Sequence, residues 1–228
     1  VKRADATVVS ILEQGYFYQG GAHGSDGFGC FNVDTKTGNK LALNDVVTDV
    51  NALSGVIATE MLELYPDITY FTPTLEETID MYVNPEITLT WTLDYNGVTF
   101  YFGDGDITEP GNGGQTATIS FAEYPELFEE KYRNVPEAYM VRLPLDASFF
   151  TNLDGDSTLE ELNVTGVYNE EGRFYSQFGI YTDTDGHYHY EDFYAYGYNP
   201  YYVKTADGKH YLYLFCEEND ADNRQMML

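Results

Sequence analysis

Basic residues are scarce in this chain of 228 residues. Lysine and arginine together number 11, against 38 aspartate and glutamate residues, which gives a formal net charge of −27. Because a field of this sign repels the phosphate backbone of DNA and RNA, the composition argues against a nucleic-acid-binding role. It suits cation binding, a basic protein partner, or a solvated acidic surface outside the cell.

Long apolar runs are also absent, and cysteines are few. The chain has no run of about 18 apolar residues, so we expect no membrane-spanning helix in it. Cys30 and Cys216 lie in apolar, strand-like contexts without the histidines or further cysteines that zinc needs. We expect them either as two buried thiols or as one disulfide between the two halves. The chain begins at Val1 without methionine, and we interpret it as the soluble part of a longer precursor, anchored upstream.

Aromatic residues are abundant instead, with 22 tyrosines and 14 phenylalanines, and this composition favours sheets. Loose alternation over residues 4–19 predicts a strand, which a glycine-dense turn over 20–27 connects to a returning strand. Asn96-Gly97 between two alternating runs predicts a hairpin over 87–103.

Three segments of the first half predict helices. Apolar positions recur at helical spacing over 51–65, where Asn51 is the expected N-cap. A second helix is expected from Leu75 to about Tyr82, with Thr74 and Glu77 at capping-box spacing, and a third from Ser120 to about Tyr132.

The pattern changes after Tyr139, where no helical spacing remains. Acid-glycine pairs recur between strand-like runs, and this spacing is typical of an antiparallel meander; the pairs end at Gly155, Gly172, Gly186 and Gly208. We therefore predict an α+β fold, with antiparallel hairpins packed with two or three helices over residues 1–135. A small all-β antiparallel module should follow over residues 136–228.

The most informative stretch of the chain is residues 152–161. Oxygen-bearing side chains alternate along it at Asn152, Asp154, Asp156, Thr158 and Glu160. Calcium takes six to eight oxygen ligands, and a tight loop supplies them most easily at every second residue. We predict a structural calcium site in which Thr158 offers its carbonyl and Glu160 or Glu161 closes the sphere. The alternative is an acidic turn whose side chains cap local N–H groups.

The first half also contains a set of motifs that resembles a known family. These are Tyr18-Gln19-Gly20-Gly21-Ala22-His23-Gly24, then Phe31-Asn32-Val33-Asp34-Thr35-Lys36-Thr37-Gly38, then Leu41-Ala42-Leu43-Asn44-Asp45. They resemble the uncharacterised bacterial ectodomain shared by RsiV-type anti-sigma factors and some polysaccharide deacetylases, over roughly residues 3–132. The second half resembles short calcium-loop β modules of Gram-positive surface proteins.

The resemblance implies an extracytoplasmic protein, such as a lipoprotein, an anchored protein or a secreted one. RsiV-type proteins bind lysozyme, a basic protein, and the acidity of this chain suits a cationic partner of that kind. Signalling and deacetylase activity are not carried over, because the chain has neither a cytoplasmic anti-sigma segment nor the metal motifs of the deacetylases.

Four other groups of residues are weaker candidates. His23 in the glycine turn has Ser25 and Asp26 close by in the sequence, but we favour a hairpin tip whose histidine bonds to the backbone. Acidic side chains over 104–109 are a second cation candidate or a solvated loop. His187 and His189 would share one face of a strand and offer two metal ligands. Tyrosines of the run 193–202 could stack on a sugar or a protein, or simply line both faces of a strand pair with a turn at Asn199-Pro200. These tyrosines are Tyr194, Tyr196, Tyr198 and Tyr201.

Three functions are consistent with these patterns. The first is a non-catalytic extracytoplasmic binding or sensory module of a bacterial surface protein with structural calcium, whose partner is a cationic protein or a cell-wall or host glycan. The second is a cell-wall polysaccharide enzyme or its accessory domain, which would need a pair of closely spaced acids. The third is a structural spacer.

Overall fold

The computed structural model describes residues 1–18, 25–71, 74–83, 89–145, 147–156, 158–219 and 222–227. Contacts divide the chain into two compact units, Val1–Val135 and Pro136–Leu228. Within the described ranges, no helix is both long enough and apolar enough to span a membrane.

Unit 1 contains two three-stranded antiparallel sheets, in the orders β1-β2-β3 and β4-β5-β6. The strands are β1 Arg3–Ala4, β2 Val8–Phe17, β3 Ser25–Asp34, β4 Thr90–Leu93, β5 Gly97–Phe102 and β6 Gln115–Ser120. The hairpin predicted at Asn96-Gly97 is confirmed, since Leu93 pairs with Val98 across the turn. The Asp94 N–H donates to the Gly97 carbonyl at 2.9 Å and closes this turn.

Three helices complete the described part of unit 1: α1 Val50–Leu64, α2 Leu75–Val83 and α3 Glu130–Arg133. The first two confirm the helical spacing, but the N-cap of α1 is Asp49, whose Oδ1 accepts the Asn51 N–H at 3.0 Å. At the start of α2, Thr74 Oγ1 accepts the Glu77 N–H at 3.1 Å, which is half of the expected capping box.

The long third helix is a wrong prediction. Its segment forms a 3₁₀ turn at Pro125–Leu127 followed by the four-residue α3. Ser120 Oγ does accept the Glu123 N–H, at 3.3 Å, but it also accepts that of Ala122, so the cap belongs to a local turn. Pro125 then interrupts the segment, because a proline cannot supply the N–H that a continuing helix needs.

The core of unit 1 is one apolar cluster that joins the helices to the strands. Ile57 and Met61 of α1 and Ile79 of α2 are fully buried in it with Phe100 and Ile119 of β5 and β6. Burial of each such side chain stabilises the fold by about 1.5–3 kcal/mol, so this cluster fixes the helices on the sheets.

Unit 2 consists of two four-stranded antiparallel sheets, in the orders β11-β10-β9-β8 and β14-β13-β12-β7, without a helix among its described residues. The strands are β7 Tyr139–Arg142, β8 Phe149–Thr151, β9 Glu160–Tyr168, β10 Tyr175–Thr182, β11 His187–Ala195, β12 Gly197–Lys204, β13 His210–Asn219 and β14 Asp222–Met227. Positive φ angles occur at the glycine of each acid-glycine pair; these are Gly155, Gly172, Gly186 and Gly208.

The predicted turn at Asn199-Pro200 is wrong, since both residues lie inside β12. Pro200 fits there because the run of pairs between β12 and β7 begins only at Tyr201, opposite Arg142. The Pro200 carbonyl faces β7 and accepts the Leu143 N–H at 2.9 Å, so the missing proline N–H falls where the ladder ends.

The α+β fold class predicted from the sequence is therefore wrong. The chain is mostly β, with 44% of its residues in strands and 17% in helical segments, and the strands that the structure describes form four antiparallel sheets. The helical periodicity identified α1 and α2 but overstated their share of the fold. Strands carry most of the regular structure, and those rich in tyrosine and phenylalanine are concentrated in unit 2.

Candidate cation-binding loop

The loop that connects β8 to β9 brings three carboxylates together. One oxygen each of Asp154, Asp156 and Glu160 lies within 4.8 Å of the others. Asp154 and Asp156 are exposed, whereas Glu160, the first residue of β9, is only 8% exposed. The cluster therefore has one buried and two solvent-facing carboxylates, at a spacing that one cation can bridge.

Local hydrogen bonds hold the loop in shape. Asn152 Oδ1 accepts the Gly155 N–H at 2.6 Å, and Asp154 Oδ1 accepts the Asp156 N–H at 3.0 Å. Asp156 Oδ1 accepts both the N–H and the hydroxyl of Thr158, at 2.7 and 2.8 Å. These are turns in which a side chain caps the backbone two or three residues ahead, and Gly155 supplies the positive φ of 90° that the bend requires.

The base of the loop is fixed to the interior of unit 2. Glu160 Oε2 accepts the Leu153 N–H at 2.5 Å across the loop. Thr151, opposite Glu160 in the β8–β9 ladder, donates its hydroxyl to the Tyr202 hydroxyl at 3.1 Å. Tyr202 also shares a hydrogen bond of 2.5 Å with His210 Nδ1. Burial raises the pKa of Tyr202 and lowers the pKa of His210, so both groups are neutral near pH 7.

The carboxylates of this loop have no cationic partner within the described ranges, where no ion pair includes any of the three. In both aspartates the hydrogen bonds described above use Oδ1 and leave Oδ2 for another ligand. Because three carboxylates held this close repel one another, a cation between them lowers the electrostatic energy.

Glu161, the alternative closing ligand, does not join the cluster. Its carboxylate accepts a hydrogen bond from Ser148 Oγ, and its N–H donates to Asp183 Oδ2 at 3.0 Å. Adjacent residues of a strand point to opposite faces, so only one of Glu160 and Glu161 can reach the loop. Asn152 and Thr158, the two remaining predicted ligands, lie in the loop and contribute to its hydrogen bonds.

The acidic residues over 104–109 form hydrogen bonds within the loop in which they lie. Asp104 Oδ1 accepts the N–H groups of Gly111 and Gly113, at 2.8 and 3.1 Å. Asp106 Oδ2 accepts the Gly103 N–H at 2.6 Å. No set of three metal-ligating side chains occurs in this loop among the described residues. Its carboxylates therefore stabilise the loop through hydrogen bonds and do not indicate a metal site.

The histidine candidates divide between two places. His23 lies outside the described residues. His187 and His189 lie on β11, where the exposed His189 ring pairs with Asp185. This pair joins no group of three possible metal ligands in the part of unit 2 that the structure describes. Both cysteines, Cys30 on β3 and Cys216 on β13, are thiols and not halves of a disulfide.

The predicted tyrosine set does not form one surface. Tyr194 and Tyr196 are exposed and hydrogen-bonded to each other at 2.9 Å, whereas Tyr198 is buried and Tyr201 is half-buried against Phe215. Sequence reasoning missed Tyr188 and Tyr190, two exposed tyrosines on β11. Their alternation with the two histidines was the available signal, since alternating residues share a face.

Comparisons with known proteins give one solved structure of interest. The chain is similar to a crystal structure of a member of the DUF3298 family from Bacteroides fragilis, with a TM-score of 0.43 and 23% sequence identity. The match covers 55% of this chain and 50% of that one, so the chain spans half the length of that protein. Comparisons with protein-family models and with curated proteins find no match. A likeness of this size assigns the chain to no family.

Proposed function

We propose that the chain is a non-catalytic extracytoplasmic binding module of a bacterial cell-surface protein, and that unit 2 holds a structural calcium ion. The observation that carries this proposal is the grouping of Asp154, Asp156 and Glu160 within 4.8 Å on a loop that its own hydrogen bonds pre-form.

Calcium is the cation that these ligands suit best. The cluster offers hard carboxylate oxygens, and calcium tolerates the irregular geometry and the additional water ligands that an exposed loop provides. Magnesium demands a near-ideal octahedron, and zinc prefers nitrogen and sulfur, neither of which the cluster contains. Because two of the three carboxylates face solvent, we expect an affinity between micromolar and millimolar, as in extracellular modules.

The partner of the module is a cationic protein such as lysozyme, or a cell-wall or host glycan. The net charge of −27 supports a cationic ligand, because such a field steers positive partners toward the surface and repels polyanions. The sequence resemblance to RsiV-type ectodomains supports the same class of partner and the extracytoplasmic location.

Thermal unfolding with added calcium, or with EDTA, tests the structural ion. Calcium at about 100 times its dissociation constant should stabilise the chain by about 2.7 kcal/mol. Asp156→Asn should weaken this response, since it removes one charge but keeps an oxygen for the Thr158 N–H. Glu170→Gln is the matched control, because it removes an equal charge from an exposed turn outside the loop.

An unfolding transition that ignores both calcium and EDTA would refute the structural ion. So would equal calcium responses in the Asp156 and Glu170 variants. For the partner, a lysozyme pull-down at physiological salt is the direct test. Binding that disappears in modest salt would indicate unspecific charge attraction and not recognition.

A further inference from the structure

The outer face of the sheet β8–β11 carries tyrosines in register across three strands. Asn163, Tyr181 and Tyr188 lie side by side on β9, β10 and β11, and the next same-face row is Thr165, Gly179 and Tyr190. We call these six positions the tyrosine face. The opposite face of the same strands is the interior, where Val164 and Phe178 are buried.

The tyrosine face is open to solvent on its β11 side. Tyr188 is 41% exposed and Tyr190 is 50% exposed. Their ring centroids lie 5.8 Å apart with the ring planes only 27° from parallel, and Tyr181 lies 5.3 Å from Tyr188. The three rings form a continuous aromatic strip rather than separate pockets.

Gly179 allows this strip to lie flat. A Cβ atom at this position would come within 2.8 Å of Cε1 of Tyr190 and within 2.9 Å of Cγ2 of Thr165. The Tyr190 ring therefore rests against the glycine backbone, where any larger residue would lift it away from the sheet. An aromatic ring held flat on a rigid sheet presents one π face to solvent at little entropic cost.

An unpartnered buried oxygen lies under one end of the strip. Asn163 is only 9% exposed, and its Oδ1 accepts no hydrogen bond within the described part of the chain. An unsatisfied acceptor of this kind costs about 1–3 kcal/mol. Asn163 shares its row with Tyr181 and Tyr188, so this oxygen lies beneath the rings, where it has less than 1 Å² of accessible surface and contacts no ligand on the strip.

The polar groups beside the strip favour a donor-rich, positively charged ligand. In the next row Gln177 Nε2 donates to Asp192 Oδ1 at 2.7 Å, which fixes both side chains, and the Asp192 side chain is exposed. No lysine or arginine occupies these rows. Carboxylate oxygens and tyrosine π faces both attract ammonium groups, so charge complementarity selects a cationic ligand and disfavours uronate or phosphate polymers.

We infer that the tyrosine face binds a polysaccharide whose sugars carry free amino groups. Pyranose rings stack on Tyr188 and Tyr190, whose separation is comparable to the length of one sugar in an extended chain. The amino groups donate to the exposed carboxylate of Asp192. The flat strip matches the flat faces of pyranose sugars.

This inference rests on the proposed binding role but not on the calcium ion, so the assays are run in calcium and in EDTA. Isothermal titration of the full chain compares an oligomer of glucosamine, an N-acetylglucosamine oligomer of the same length, and oligolysine of the same charge. The glucosamine oligomer should bind about tenfold more tightly than either of the others.

Variants of the chain locate the site. The double substitution Tyr188→Ala with Tyr190→Ala should weaken glucosamine binding about tenfold or more, and Gly179→Ala should weaken it by lifting Tyr190. Tyr196→Ala is the matched control, because Tyr196 is equally exposed but lies outside the tyrosine face. Asp192→Asn should weaken binding of the glucosamine oligomer without lowering the melting temperature, because Asp192 is exposed and asparagine keeps the oxygen that accepts the Gln177 hydrogen bond. Loss of folding cannot produce that outcome.

Three results would overturn the inference: equal binding of oligolysine, loss of binding in the Tyr196 variant alone, or unchanged binding in the Tyr188/Tyr190 variant. Glucosamine binding without any calcium response would refute the structural ion and leave the tyrosine face standing. A calcium response without binding of the glucosamine oligomer would refute binding at the tyrosine face and leave the structural ion standing.

Discussion

The two units deal with their charged groups in opposite ways. In unit 1, Arg3 is fully buried, and its guanidinium donates to Asp5 Oδ2 at 2.7 Å and to the Tyr132 carbonyl at 2.6 Å. In unit 2, the carboxylates of Asp154 and Asp156 converge with that of Glu160, and no lysine or arginine pairs with them in the described ranges. Unit 1 neutralises its buried charge internally, whereas the three carboxylates of unit 2 could hold a cation from solution.

Removal of the buried cation of unit 1 should have the largest effect. Arg3→Ala deletes the partner of Asp5 and of buried backbone carbonyls, so we expect unit 1 to lose about 3–5 kcal/mol. Hydrogen exchange of β2 and β5 amides should show lost protection at equal denaturant. If those amides kept their wild-type protection, Arg3 would not be the group that neutralises unit 1.

Buried Asp94 should make the stability of unit 1 depend on pH. Burial raises the pKa of the Asp94 carboxyl above 3.8, although nearby Lys2 and a hydrogen bond from Thr99 act in the opposite direction. The proton-bound form is therefore favoured by folding. The stability due to Asp94 is complete below the unfolded pKa and is lost as the pH rises through the folded pKa.

Urea unfolding of the wild type and of Asp94→Asn across this pH range measures the effect. The free energy of unfolding of the wild type minus that of the variant should fall with rising pH, by about 1.4 kcal/mol for each unit by which the pKa is raised. A constant difference across the range would mean that Asp94 does not titrate differently in the folded chain.

A lysine placed in the loop of unit 2 should neutralise its carboxylates from within the chain, as Arg3 does for Asp5 in unit 1. Asp154→Lys places an ammonium group beside Asp156 and Glu160, and we expect about 1 kcal/mol of added stability without calcium. The same variant should lose its calcium response. If Asp154→Lys destabilised the calcium-free chain, mutual repulsion of the carboxylates would not be the dominant feature of this loop.

An exposed ion pair of unit 2 should show the smallest effect. Arg173 and Glu171 are 3.4 Å apart, with side chains that are 75% and 67% exposed. Water screens such pairs, so Arg173→Ala should change the free energy of unfolding by no more than about 0.5 kcal/mol. If Arg173→Ala lowered the free energy of unfolding as much as Arg3→Ala, burial would not explain why the two ion pairs differ in their contribution to stability.

Local signals predicted part of the local structure. Helical spacing identified α1 and α2, and Asn96-Gly97 identified a hairpin, because each signal and its structure lie within a few residues. The alternating oxygens of residues 152–160 pointed to the loop where Asp154, Asp156 and Glu160 meet. Calcium itself stays a prediction.

These local signals could not predict which strands pair with each other. Tyr196 and Tyr198 belong to the same aromatic run, but Tyr198 is in the core and Tyr196 is exposed. The pair Asn199-Pro200 predicted a turn, but Pro200 lies inside β12, at the point where the pairing with β7 ends. The exposure of a tyrosine depends on which strand lies beside it, and that strand is distant in the sequence.

The sequence by itself determined the acidity of this protein, two of its helices, its Asn-Gly hairpin and the oxygen-rich stretch after β8. Each follows from composition or from residues that interact with close neighbours along the chain. Only the tertiary structure decided that Arg3 is buried against Tyr132, that Glu160 and not Glu161 faces the loop, and that Asn163 lies beside Tyr181 and Tyr188. These outcomes depend on register and on packing between distant segments, because a shift of one residue along a strand reverses which side chains meet.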